Sequence, residues 1–117
     1  LNEVSAEFQI TGPKGDILVK TRFCATGVET VCDGIRAVCN ANGIEIEIKG
    51  SGSFAYVSSI DGIKEFETGA MSGWVYAKNG VYSTKGIGSE KLSDGDYIWF
   101  YYSNNLGADF QETLSGR

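Results

Sequence analysis

The run Tyr97–Tyr102 (YIWFYY) constrains this chain more than any other feature. Every position in it is apolar or aromatic, and in a small soluble domain only a strand flanked by neighbours and covered on at least one face reads that way. Asp94-Gly95 launches it. Ahead of it, Ser72–Ser83 (SGWVYAKNGVYS) sets Asn79-Gly80 between two aromatic-rich segments. Asn-Gly between alternating apolar residues signals a two-residue hairpin turn. A sheet with an aromatic strand inside it is the frame the rest of the chain must fit.

Upstream, Ala6–Gly12 and Ile17–Ala25 read as a strand pair joined by the turn Pro13-Lys14-Gly15-Asp16. Thr30-Val31-Cys32-Asp33 marks a helix start: Thr30 can cap free backbone amides, and Asp33 favours the first turn. Val31, Ile35, Val38 and Cys39 follow at i, i+4, i+7 and i+8, one face of a helix that Asn42-Gly43 stops. Gly34 costs that helix up to ~1 kcal/mol relative to Ala, so it depends on its packing. Ile44–Lys49 alternates strictly and reads as a strand with one wet face. Gly50–Ser53 is a flexible break and not a phosphate loop, since no Lys-Ser/Thr follows. Phe54–Ile60 is extended, Asp61-Gly62 turns it, Ile63–Met71 reads as a loop and 104–117 as a weakly ordered tail. A chain of 117 residues, 42% of them hydrophobic, fits one domain over residues 1–117.

A net charge of −5 argues against nucleic acid and anionic membrane surfaces as partners. No apolar run approaches the ~20 residues of a membrane span, so no membrane insertion is expected of this segment. Cys24, Cys32 and Cys39 are an odd set, and without histidine neither a Cys/His nor a Cys₄ zinc site can be assembled. Cys32 and Cys39 lie two helical turns apart, roughly 10 Å, beyond the ~7 Å a disulfide spans. Cys24 could reach one of them, and small buried apolar side chains are the favoured role for the set.

Enzyme chemistry lacks its parts, because a thiol or hydroxyl nucleophile needs an adjacent base. Glu45 and Glu47 read as a solvated strand face, and Asp94 and Asp96 are too few for a calcium loop. No metal ligand set is assigned; a surface cation site gathering Asp61, Glu65 and Glu67 is the one cation reading that stays open. The last strand divides by alternation. Ile98, Phe100 and Tyr102 should lie beneath the helix, while Tyr97, Trp99 and Tyr101 fall on the face a lone helix leaves uncovered. Either that second set contacts a ligand or another protein surface, or a loop (Ile63–Met71 or the tail) folds over it.

Gly73, Trp74, Tyr76, Asn79, Gly80, Leu92, Asp94, Gly95, Asp96, Ile98, Phe100 and Tyr102 fit the pattern GW-x-Y-x-x-NG … L-x-DGD-x-I-x-W/F-x-Y. That pattern resembles the C-terminal domain of the transcobalamin and intrinsic factor family, with its bacterial cell-surface relatives. Tyr56–Gly62 is similar to that family's Y-[VI]-x-S-I-x-G element. The resemblance implies an α+β fold, a β-grasp-like mixed sheet with one helix packed on one face, which agrees with the strand-strand-helix-strands order.

The same resemblance implies a non-catalytic module binding a soluble ligand, cobalamin-like or another amphipathic molecule. The ligand would rest against Trp74, Val75, Tyr76 and Tyr82, with Asn79 and backbone groups of Tyr56–Ser59, Tyr56, Ser58 and Ser59 among them, supplying hydrogen bonds. Where the carriers have W-Q-L-L against the corrin, this chain has Trp74-Val75-Tyr76-Ala77, so Val75 replaces a polar residue. No resident cofactor is implied, cobalamin entering only as a ligand. The location implied is extracellular or cell-surface in a bacterium, with a small molecule or neighbouring domains of a larger surface protein as partners. The alternative is a structural or adhesive surface module that uses Tyr97, Trp99 and Tyr101 for packing, with the surface cation site as a companion feature.

Overall fold

The computed structural model describes residues 3–116. Strands β1 (Glu3–Thr11) and β2 (Ile17–Thr26) precede helix α1 (Val31–Ala41). Strands β3 (Ile46–Lys49), β4 (Tyr56–Ile60) and β5 (Ile63–Lys64) follow, with one 3₁₀ turn at Gly52–Phe54. The chain then forms β6 (Gly73–Lys78), β7 (Val81–Ser83), β8 (Tyr97–Ser103) and α2 (Ala108–Leu114). Two sheets result, a five-stranded one ordered β2-β1-β8-β6-β7 and a three-stranded one ordered β3-β4-β5.

The aromatic run is the centre of the larger sheet. β8 lies parallel to β1 and antiparallel to β6, which makes the sheet mixed. Register places Phe8 beside Ile98, Ile10 beside Phe100, Tyr76 beside Phe100 and Trp74 beside Tyr102. These residues share one face, and α1 packs on it through Val31, Ile35, Val38 and Cys39, with Val57 and Ile60 of the small sheet closing the same core. The α+β class and the mixed sheet with a helix on one face are as expected. Gly34 explains itself here. A Cβ at that position would stand 2.6 Å from Phe8 Cζ, so only glycine lets the helix approach the sheet this closely.

Local chemistry accounts for the helix ends and the turns. Thr30 Oγ1 accepts from the Asp33 amide while Asp33 Oδ2 accepts from the Thr30 amide, a reciprocal capping box. Asn79 and Gly80 have φ of 54° and 82°, the two left-handed residues a type I′ hairpin requires. The Asn79 side chain locks the corner further, accepting from the Tyr97 amide and donating to Asp96 Oδ1.

Four expectations change. β3 begins at Ile46 because the Ile44 amide turns back to the Cys39 carbonyl at the end of α1. Phe54 belongs to a 3₁₀ turn rather than to the strand. The segment Ile63–Met71 starts with the short strand β5, paired to β4. The tail over 104–116 holds α2, started by Asp109, whose carboxylate accepts from Ser103 Oγ and the Asn104 amide. Residue 117 lies outside the described residues.

That last helix decides the second face of the large sheet. Phe110 is fully buried, its ring stacked 4.6 Å from Tyr101 and edge-on to Trp99 at 5.1 Å. Trp99 and Tyr101 therefore lie half-buried under the tail, and Tyr97, beside Trp99, is half-buried as well, so the three do not form an open aromatic patch. Polar partners complete the cover: Tyr97 Oη donates to Gln9 Oε1 and Trp99 Nε1 to Thr11 Oγ1.

Candidate ligand-binding groove

A cleft of about 380 Å³ opens between the start of β4 and the middle of β6. Tyr56, Trp74, Val75, Tyr76 and Tyr82, all named from the sequence, line it together with Phe54 and the Ser83–Ile87 loop. A second hollow of about 180 Å³ continues it past Phe66, Met71 and Leu106, sharing Tyr56, Val57, Trp74 and Val75. Phe54, Tyr56, Phe66, Met71 and Leu106 are exposed, Phe54 at 83%. Apolar side chains thus rim a single channel that runs across both hollows, where scattered exposure would mean nothing.

The floor is rigid. Trp74 is 8% exposed, meets Tyr102 edge-to-face at 5.2 Å, and donates its indole N–H to the Ile63 carbonyl at 2.8 Å. Tyr76 stacks on Phe100 at 5.3 Å, and its hydroxyl donates to the Lys85 carbonyl. Burial pushes the Tyr76 phenol up to about 12, with Ser83 opposing that shift and Glu90 adding to it. Val75 alternates out of phase with these two and pairs with Tyr101, so its side chain belongs to the opposite face of the sheet and it meets the channel only at its edge. Tyr82 also belongs to the opposite face, edge-on to Phe110 at 6.2 Å, and reaches the cleft at its outer rim. Its phenol is raised by burial and by Asp109.

The polar contacts named from the sequence lie elsewhere. The Asn79 amide is fully engaged in the hairpin corner, as described above. Ser58 and Ser59 are buried, and Ser58 Oγ donates within the β3–β4 pair, to the Glu47 carbonyl and carboxylate. Of the three, none lines the cleft or its continuation. Tyr56 does, and its hydroxyl donates to Glu65 Oε2, which also pairs with Lys49 at 3.2 Å. Burial first, then Glu65, raises the Tyr56 phenol, while hydrogen bonding to Glu65 raises the Lys49 ammonium.

Sequence reasoning missed Phe54, Phe66, Met71, Leu106 and the Lys85–Ile87 wall. A signal for the first four was present: large apolar residues standing in loops otherwise rich in Gly, Ser and Thr. The wall gave none, because it is placed by a long-range backbone bond from the Ile87 amide to the Ala55 carbonyl.

Asp61, Glu65 and Glu67 do not gather. Glu65 is held by Lys49 and Tyr56, and Glu67 Oε2 accepts from the Lys64 amide. Among the described residues no group of three or more Asp, Glu, Cys or His side chains could hold a metal ion. The cysteines are free thiols, Cys24 exposed, Cys32 half-buried and Cys39 buried.

A family model described as "Domain of unknown function (DUF4430)" matches residues 29–104, which span α1 through β8 and hold every strand of the channel. The chain belongs to that family. Among curated proteins, none matches this DUF4430 chain. Among solved structures, it is similar to a protein from Ruminococcus gnavus ATCC 29149 described as a candidate metal-binding protein. The two share 11% identity and a TM-score of 0.63, over 86% of this chain and 96% of that one. It is also similar to haptocorrin in complex with Cbi, at 14% identity and a TM-score of 0.70, over 90% of this chain. The DUF4430 chain corresponds to 26% of the haptocorrin chain. At such identities the likeness establishes the fold. No helix among the described residues is long and apolar enough to cross a membrane.

Proposed function

We propose that this DUF4430 domain is a non-catalytic binding module that holds a soluble amphipathic ligand, cobalamin-like or of similar flat shape, in the channel between β4 and β6. The observation that carries it is the convergence of Tyr56, Trp74 and Tyr76 with an exposed apolar rim on one rigid channel. Ligand sites are concave and mostly apolar, with a few polar groups fixing orientation. Here those groups are the Tyr56 hydroxyl and the backbone of Trp74. The motif resemblance to the transcobalamin and intrinsic factor C-terminal domain supports the same reading. It also supports placement in a bacterial secreted or surface protein, with further domains as neighbours. The adhesive alternative needs Tyr97, Trp99 and Tyr101 free, and Phe110 packs on Trp99 and Tyr101.

The test is backbone amide chemical-shift mapping while cobinamide or cobalamin is titrated into the domain. Shifts should concentrate at 54–57, 73–76 and 82–87. Shifts confined to the outer face around Trp99, or none at all, would contradict it.

A further inference from the structure

The channel has an incomplete strand edge in its floor. β6 pairs with β7 only at Tyr76–Ser83, Ala77–Tyr82 and Lys78–Val81, and β7 ends there. The Asn79 amide donates to the Tyr97 carbonyl, so Asn79, Ala77 and Val75 direct their backbone groups toward β8. Alternation then turns the N–H and C=O of Lys78, Tyr76 and Trp74 the other way. For Lys78 and Tyr76 the partner is β7. For Trp74 no strand pairs on that side, and none of the loop backbone bonds among the described residues reaches it. A donor and an acceptor with strand spacing thus face an apolar channel, where unpaired backbone groups are costly. Two charges stand at the β7 end: Glu90 is taken up by Lys78 and Ser83, while Lys85 is exposed and enters none of the ion pairs among the described residues.

We propose that the channel takes an extended polypeptide segment that continues the line of β7. One residue of the segment would exchange backbone hydrogen bonds with Trp74. Its apolar side chains would lie at alternate positions against Tyr56, Phe66 and Met71, and an acidic residue would meet Lys85. Strand addition of this kind draws affinity from main-chain bonds and selectivity from pockets two residues apart. It rests on the channel being the binding site proposed above and gives that site a second class of occupant, read from its open backbone edge and not from its apolar floor.

The test uses the synthetic peptide acetyl-Asp-Val-Thr-Val-Thr-Val-Asp-amide and the same peptide N-methylated at its valines. The unmethylated peptide should bind, slow hydrogen exchange at the Trp74 amide at least tenfold, and lose at least tenfold in affinity on N-methylation. Lys85→Glu, a surface change, should weaken it several-fold. Equal binding of both peptides, or exchange at Trp74 that does not change on binding, would overturn the strand assignment. If cobinamide binds and the peptide does not, the occupant assigned here is wrong and the ligand reading survives. If neither binds, both fall.

Discussion

The ring of Tyr101 lies on the ring of Phe110 with centroids 4.6 Å apart and planes 14° from parallel. This single stack converts the exposed half of an aromatic strand into a small second core. Phe110→Ala should therefore destabilise the domain by about 3 kcal/mol, the usual cost of emptying a buried aromatic site. It should also red-shift Trp99 emission as the indole meets water. Thermal unfolding and fluorescence of the variant check both. An unchanged melting temperature would mean the tail is not part of the folded unit.

The Asn79-Gly80 corner should tolerate little. Gly80→Val puts a β-branched residue at φ 82° and should cost about 1–3 kcal/mol in backbone strain. Denaturant midpoints measure it.

At Gly34 two effects oppose each other. Replacing it with Ala gains up to ~1 kcal/mol of helix propensity. The new methyl would stand 2.6 Å from Phe8 Cζ and 2.9 Å from Leu92 Cδ2, both in the core, and overpacking of that kind costs about 1–3 kcal/mol. Packing should win, so Gly34→Ala lowers the denaturation midpoint although it improves the helix.

Thiol chemistry should follow burial. Burial pushes the Cys39 thiol up to about 11, with Asp61 adding to the shift, so at pH 8 only ~0.1% of it is thiolate. Cys24 is exposed, and a hydrogen bond with Glu3 raises it too. Alkylation at pH 8 should label Cys24 before Cys39, and non-reducing mass analysis should find no Cys32–Cys39 bridge. Rapid labelling of Cys39 in the native protein would contradict the packing of α1.

Tyr76 makes stability depend on alkaline pH. Its phenol titrates at about 12 in the folded chain and near 10 when unfolded. The raised folded value means its contribution is complete below pH 10 and is lost as pH rises toward 12. Tyr76→Phe should flatten the fall in melting temperature across that window.

Elements ruled by local chemistry were legible in the sequence. The capping box at Thr30 and Asp33, the left-handed pair at Asn79-Gly80 and the uninterrupted run of β8 each carry their conformation in adjacent residues. The aromatic members of the channel were legible as well, through the spacing of Trp74 and Tyr76 on one strand face. Contacts made across the chain were not. Asn79 reads as a ligand contact in the sequence because its partners, the Tyr97 amide of β8 and Asp96 just ahead of it, lie far along the chain. Helix α2 was hidden because it is only seven residues long and offers just Phe110 and Leu114 as an i, i+4 apolar pair. The split into two sheets follows from where β4 lands, which no local pattern specifies.

Calorimetric titration of cobinamide into the domain, with Tyr56→Ala as the probe, decides whether the channel is a ligand site. The Tyr56 side chain is exposed and bonds only through its hydroxyl to Glu65, while its strand pairing with Lys49 is made by the backbone, so the variant should fold. The wild-type domain should bind saturably at micromolar affinity, about −8 kcal/mol, and Tyr56→Ala should weaken that at least fivefold. Equal affinity in the two proteins, or no heat of binding at millimolar cobinamide, would contradict the assignment of the channel as the site for such a ligand.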